Sequence, residues 1–264
     1  DSYYIVGNKE QKKELTKLFE LLQREASTHE NEFIIIRRII KILHDAGSLD
    51  KLNLFLTTYV ENHSNNPYNA YYLLVVAQNY MEKEAYPFAV HYFERIIKNY
   101  PDLMVQQRSI HYICLKNLIN LVDDPEVTIN YYKDLLARFS NEVDKGRTYY
   151  DLAKNYEKLG EWDLALQAYN TFLQYPDTYI PGTPNAHREV KAMVDFYSYD
   201  GADWTMESLD DLVKNIKWAI YRRDVRTLQK FMAKINFFTT SWEEEEQENE
   251  NTFSYHLNAF LNSR

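Results

Sequence analysis

The chain has 264 residues, 45% of them hydrophobic, which is enough to bury a core as one elongated or two compact domains and excludes a disordered protein. A formal charge of -9 excludes an overall electrostatic footprint for nucleic acid or an anionic membrane, since phosphate binding needs clustered Lys and Arg. The single cysteine, Cys114, excludes a disulfide framework and a cysteine-rich zinc site, and six Gly with seven Pro leave few positions for the tight turns of β-rich folds.

In chain order, residues 9 to 26 predict an amphipathic helix, with Leu15, Leu18, Phe19 and Leu22 at i, i+3, i+4, i+7 spacing. The polar stretch KEQKK at its start suits the outer face of a cap. The chain begins at Asp1 rather than Met, so a leader, anchor or upstream domain can precede it. The next stretch, FIIIRRIIKILHDAGSLDKLNLFLTTYVENHSNNP from Phe33 to Pro67, predicts a helix, a turn at Ala46-Gly47-Ser48 and a longer helix. Its apolar run is broken by Arg37, Arg38 and Lys41, far short of the roughly 20 apolar residues of a membrane span.

Two later stretches superimpose. They are AYYLLVVAQNYMEKEAYPFAVHYFERIIKNYP from Ala70 and GRTYYDLAKNYEKLGEWDLALQAYNTFLQYP from Gly146. From those starts, position 4 is Leu73 or Tyr149, position 7 Val76 or Leu152, position 8 Ala77 or Ala153, and position 11 Tyr80 or Tyr156. Position 17 is Tyr86 or Trp162, position 20 Ala89 or Ala165, and position 24 Phe93 or Tyr169, with Pro101 and Pro176 closing the two copies. Between them, Ser109 to Ser140 makes a weaker copy with apolar Tyr112, Leu115, Ile119, Ile129, Tyr132 and Leu136. There Lys116 stands where a small residue is expected, and Asp123-Asp124-Pro125 replaces the glycine turn.

This pattern resembles the tetratricopeptide repeat, a helix-turn-helix of about 34 residues, and Pro67 and Pro101 are spaced to suit that period. The physics supports it. Alanines 77, 89, 153 and 165 remove side chains where two helices approach closely, aromatics fill the space beside them, Gly160 supplies a turn and proline ends the second helix. The resemblance implies an all-α fold, a right-handed α-solenoid of tetratricopeptide-like hairpins with extra N-terminal and C-terminal helices. The expected organisation is a cap at 1-30 and an array at 31-180, with hairpins at 31-67, 70-103, 109-140 and 146-177. A helical extension at 185-240 and an acidic segment with a short terminal helix at 241-264 complete it.

In that family the first helix of each hairpin lines a concave groove through positions 2, 5, 9, 12 and 13. The resemblance therefore implies a partner-binding groove formed by Tyr71, Leu74, Gln78, Met81 and Glu82 in one repeat and Arg147, Tyr150, Lys154, Glu157 and Lys158 in another. Tyr, Met and Arg at such positions suit recognition, because they bury large area and keep a polar or adaptable end. Packing against neighbouring hairpins is the competing role for the same residues. The family's clamp for chaperone C-terminal carboxylates needs Lys and Asn at positions 5 and 9 and Asn at position 6 of the next repeat. Here those are Leu74 and Gln78, or Tyr150 and Lys154, with Val75 or Asp151 at position 6, so a chaperone-tail adaptor is not expected.

Beyond Pro176, DTYIPGTPNAH reads as a loop, followed by helices near 186-198, 208-222 and 225-235, the second opened by Ser208 and Asp211 in the manner of a capping box. Seven basic side chains between residues 208 and 235, Lys214, Lys217, Arg222, Arg223, Arg226, Lys230 and Lys234, face only Asp210, Asp211 and Asp224. The following WEEEEQENENTF reads as a solvated linker, and its pairing with those basic helices, or an acidic protein partner for them, is the alternative.

No phosphate loop, nucleophile elbow or HExxH pair is present. His91 and Glu94 have the spacing of half a di-iron motif without the second half, and Cys114 reads as a small buried hydrophobe. The expectation is a non-enzymatic interaction module or scaffold, with no metal and no cofactor, holding another protein's peptide segment or helix within a larger assembly. No nucleic acid and no membrane span is expected. Two further readings are a structural homo-oligomer and a recruiting domain of an enzyme lying outside these residues. The texture, rich in Tyr, Asn and Ile, leans toward a bacterial periplasm or cell envelope against the cytoplasm.

Overall fold

The computed structural model describes residues 2-24, 28-198 and 206-232; the acidic segment and the expected terminal helix lie outside them. The chain divides into two units, residues 1-165 and 166-264. Among the described residues the architecture is all-α, with one two-stranded hairpin.

In the first unit a 3-10 turn at Ser2–Tyr4 precedes α1 (Lys9–Arg24), α2 (His29–Asp45), α3 (Leu49–Asn62), α4 (Asn69–Glu82), α5 (Tyr86–Asn99), α6 (Ile110–Leu121), α7 (Pro125–Phe139) and α8 (Lys145–Leu159). Each helix packs on the next, and α4 also packs on α6, so first helices of successive hairpins meet. That is the arrangement of an α-solenoid. The starts follow local chemistry: Thr28, Ser109, Asp124 and Asp144 each accept a hydrogen bond from a backbone N–H in the first turn, satisfying groups that have no intrahelical partner.

Three of the hairpin turns share one geometry. Gly160, at φ 74°, donates its N–H to the Glu157 carbonyl, while Glu161 N–H donates to the Tyr156 carbonyl at 3.0 Å. Gly47 and Ser48 make the same pair of bonds to His44 and Leu43, at 2.8 and 2.9 Å. This is a Schellman closure, which needs a left-handed residue just past the helix. Between α4 and α5 that residue is Glu84, at φ 56°, so the turn persists without glycine. The α6–α7 link differs: Asp124 caps α7 through Glu126 and Val127, and Pro125 starts the helix where its missing N–H is harmless.

The core runs continuously from α1 to α6, from Leu15 and Phe19 through Ile36, Leu43, Leu56, Tyr72, Leu73, Val76, Phe93 and Ile96 to Cys114 and Leu118. Ala77, Ala89, Ala153 and Ala165 are all buried, as close helix approach requires. The Cys114 thiol is fully buried and its pKa pushed far up by desolvation, consistent with a packing role.

An unforeseen hairpin joins α5 to α6. Strand β1 (Met104–Val105) pairs antiparallel with β2 (Arg108–Ser109), and Gln106 and Gln107 both adopt positive φ, 52° and 63°. Two left-handed residues make the turn whose twist matches a hairpin, but its usual signature is Asn-Gly rather than Gln-Gln.

Helix α9 (Trp162–Phe172) carries the boundary between the units. In the second unit lie α10 (Ala186–Tyr197), α11 (Leu209–Tyr221) and α12 (Val225–Lys230). Ser208 caps α11 through the Asp211 N–H at 3.4 Å. Helix α12 is shorter than the expected 225-235, and residues beyond 232 are outside the description.

Candidate functional site

The exposure of each first helix fixes the repeat register. In α4 and α8, positions 9 and 13 are exposed (Gln78 and Glu82, Lys154 and Lys158), while positions 7, 8 and 10 are buried. Helix α6 matches when its count starts at Arg108: Cys114 and Leu115 are buried at positions 7 and 8, and Lys116 and Asn120 are exposed at positions 9 and 13. The count from Ser109, which put Lys116 at the small position, is therefore one residue late. Leu115 fills that site, because an ammonium group is excluded from a core lined by Ile97, Leu135 and Phe139.

Position 10 then holds Asn79, Asn117 and Asn155. Asn117 and Asn155 each donate Nδ2 to the carbonyl four residues back, at 2.8 Å, whereas Asn79 reaches Asn53 Oδ1 of α3 at 2.7 Å. Helix α2 fits a count from Phe33, with Lys41 and Asp45 exposed at positions 9 and 13 and Ile39, Ile40 and Ile42 buried. Position 9 of the four first helices thus reads Lys41, Gln78, Lys116 and Lys154, all exposed.

The ten sequence-derived groove residues divide by environment. Leu74 and Tyr150 are buried, 5% and 9% exposed, and Met81 is half-buried against the core. Gln78, Glu82, Arg147, Lys154 and Lys158 are exposed, and Tyr71 and Glu157 are half-buried. Glu82 pairs with His44 of α2, with Nε2 to Oε2 at 3.5 Å, joining neighbouring first helices.

On α8 the residues gather into one charged face. Lys154 Nζ lies 2.9 Å from Glu157 Oε2 and 5.8 Å from the Tyr150 ring centroid, and Arg147 Nε lies 3.8 Å from Asp151 Oδ2. Burial raises the Asp151 pKa, opposed by Arg147, by Lys116 of α6 and by a hydrogen bond from Tyr132 of α7. These are one-turn and cross-helix pairs on a surface, so each contributes at most about 1 kcal/mol; their importance is to orient charge.

At the other end Tyr71 lies edge-on to Phe33, with ring centroids 5.2 Å apart. It helps to line an open apolar depression of about 680 Å³ with Leu18, Leu21, Ile34, Ile35 and Ile40, rimmed by Arg37, Arg38 and Lys41. Sequence reasoning missed Ile34, Arg37, Lys41 and Lys116. The asparagine spacing from Asn79 to Asn117 to Asn155 could have placed Lys116, but α2 carries Ile42 at that position, so no such signal marks Ile34, Arg37 or Lys41.

Among the described residues no group of three or more His, Cys, Asp or Glu side chains is arranged to hold a metal ion, and no helix is long and apolar enough to cross a membrane. His91 and Glu94 line one open depression with Arg95 and Lys98, but His91 is exposed, while Glu94 accepts from Tyr131 Oη at 2.5 Å and from Lys98 at 2.9 Å. Those bonds hold its carboxyl below the ordinary range.

The fold and this face define an array of helical hairpins with an exposed first-helix surface, the architecture of interaction modules. Residues 147–178 match the family model of the tetratricopeptide repeat, the segment that opens with Arg147 and contains Gly160. No curated protein gives a significant match to the chain.

Proposed function

We propose that this chain is a non-enzymatic interaction module whose first-helix face holds a peptide segment or helix of another protein within a larger assembly. The observation that carries the reading is the register: four successive first helices expose position 9, as Lys41, Gln78, Lys116 and Lys154, directly beside buried positions 7 and 8 of the same helix. A repeated exposed position on rigid helices is how a solenoid presents an extended binding surface. Tyr71, Gln78, Glu82, Arg147, Lys154 and Lys158 are then available to contact a partner, while Leu74 and Tyr150 support the helices beneath.

The test is affinity capture from the source organism with the wild-type chain and a Lys116→Glu/Lys154→Glu variant of unchanged helicity. Specific partners should be retained by the first and lost from the second. Identical partner sets would remove the first-helix face as the binding surface, whereas recovery of only the chain itself would remove the hetero-partner reading in favour of self-assembly, which light scattering would register as a mass above that of the monomer.

A further inference from the structure

We infer that the depression between α1, α2 and α4 is an anchor pocket for an acidic protein segment that carries a bulky apolar side chain among carboxylates. This rests on the interaction-module reading and names the partner chemistry at one end of that face. Three observations lead there.

The floor is apolar without being closed. Leu18, Leu21, Ile34, Ile35, Ile40 and Tyr71 line it, and Ile34 stands 65% exposed on a well-formed helix whose Ile36 and Ile39 are fully buried. A branched side chain held in water on a rigid element gains free energy in proportion to the apolar area that a partner covers. The space, about 680 Å³, lies in the range of sites that enclose compact ligands, enough for one or two large side chains.

The rim has one sign. Every charged residue lining the pocket is basic: Arg37, Arg38 and Lys41. Arg38 is committed to Glu14 of α1, with Nε to Oε1 at 2.5 Å. Arg37 lies over the Phe33 ring, its guanidinium carbon 5.6 Å from the centroid, and neither it nor Lys41 has a carboxylate within ion-pair distance among the described residues. Two uncommitted cations beside an apolar floor complement carboxylates flanking an apolar anchor, and they disfavour basic segments by like-charge repulsion.

Basic residues recur farther along the face, interrupted by Asp45, Gln78 and Glu82. Lys116 and Lys154 repeat the position of Lys41, although Asp151 and Glu157 partly offset them. Discrimination therefore concentrates at the pocket, where no acid lines the rim, and the distal lysines add salt-dependent attraction.

The test uses the full chain and three short fluorescent peptides: a glutamate-rich one with a central Phe-Leu pair, the same with lysine for glutamate, and the same with serine for Phe-Leu. Fluorescence anisotropy should show the first binding at least about tenfold more tightly than either control, with affinity falling as salt rises. Ile34→Ser and the pair Arg37→Gln/Lys41→Gln, all at exposed positions, should each weaken the first peptide about tenfold and leave helicity by circular dichroism unchanged.

Equal binding of the three peptides, binding of the first that is indifferent to both variants, or no binding of the first at all overturns the pocket. Failure of the wider reading looks different. If partner capture is abolished by Lys116→Glu/Lys154→Glu yet indifferent to the pocket variants, the module stands and the pocket falls. If the acidic peptide depends on Ile34, Arg37 and Lys41 while partner capture ignores the distal lysines, the pocket stands and the extended face falls.

Discussion

The α4–α5 hairpin and the α11–α12 pair turn the chain in the same way and are held by very different means. Glu84 and Arg223 both sit at φ 56°. Glu84 N–H donates to Met81 and Ala85 N–H to Tyr80, at 3.0 and 2.9 Å; Arg223 N–H donates to Ile220 and Asp224 N–H to Ala219, at 3.1 and 2.9 Å. Yet α4 buries nine of its residues, whereas α11 buries only Ala219, packed against Leu228 of α12. Leu209, Val213, Trp218, Ile220 and Tyr221 of α11 remain exposed. A hairpin turn sets chain direction at a cost of about 1 kcal/mol when no glycine is present, and burial decides how firmly the pair is held.

The contrast is sharpest in the cores. Phe93→Ala, at a fully buried site of α5, should lower stability to urea by about 3–5 kcal/mol, while Leu228→Ala should cost no more than about 2 kcal/mol, because its shallow site can collapse. Hydrogen exchange resolved by segment should show α11–α12 opening well before α4–α5. Equal costs for the two substitutions would erase the distinction.

Overpacking comes next. Ala153→Leu, at a fully buried first-helix position, should cost about 1–3 kcal/mol by the same denaturation assay. A neutral result would mean that the alanine position is not a point of close helix approach.

Turn substitutions are smaller and of opposite sign. Glu84→Gly and Arg223→Gly should each stabilise by a fraction of about 1 kcal/mol, because relief at positive φ exceeds the added freedom of the unfolded chain. Gly160→Ala should destabilise by about 1 kcal/mol through backbone conformation alone, since a methyl group there meets no atom within 4 Å. Equal and like-signed shifts at all three positions would refute the shared turn.

The smallest effect is a pH dependence at the junction of α5 and α6. His111 Nε2 lies 2.9 Å from the Tyr100 carbonyl and Nδ1 lies 2.5 Å from the Arg138 guanidinium, so Nε2 carries the proton and the ring is neutral. Burial lowers its pKa, opposed by Asp102. The unfolded chain then takes up the proton first as pH falls. The contribution is complete above the ordinary histidine value of about 6.5 and declines as pH falls from there through the folded value. The melting temperature should fall less for His111→Gln than for wild type between about pH 7.5 and pH 5.5. Parallel profiles would remove His111 as the source.

That junction also shows what a sequence scan can and cannot see. His187 Nε2 lies 2.9 Å from the Tyr175 carbonyl, just as His111 meets Tyr100, and Tyr100 and Tyr175 each precede the closing proline. Asn69 does the equivalent work at the end of α3, donating Nδ2 to the His63 carbonyl at 2.8 Å. Each is a side chain from the following helix bonding a carbonyl at or just past the end of the preceding one, a recurrence invisible to motif reading because the residue type and spacing vary. The Gln106-Gln107 turn escaped for the related reason that its residues carry no turn signature. In the candidate site, the repeat named Arg147 and Lys154, which lie exposed on α8, whereas Lys116 was misplaced by one residue and Ile34, Arg37 and Lys41 were not assigned.

By itself the sequence determined the helices and the buried alanines, because amphipathic spacing, small residues and caps act within one or two turns of chain; the aromatic position 17 did not follow, since Tyr86 and Trp162 stand 44% and 48% exposed. Tertiary structure decided which exposed side chains share a face. The register of α6 follows from what its neighbours exclude, and the pocket exists only where α1, α2 and α4 come together, so its apolar floor and basic rim are scattered over more than fifty residues until the chain folds.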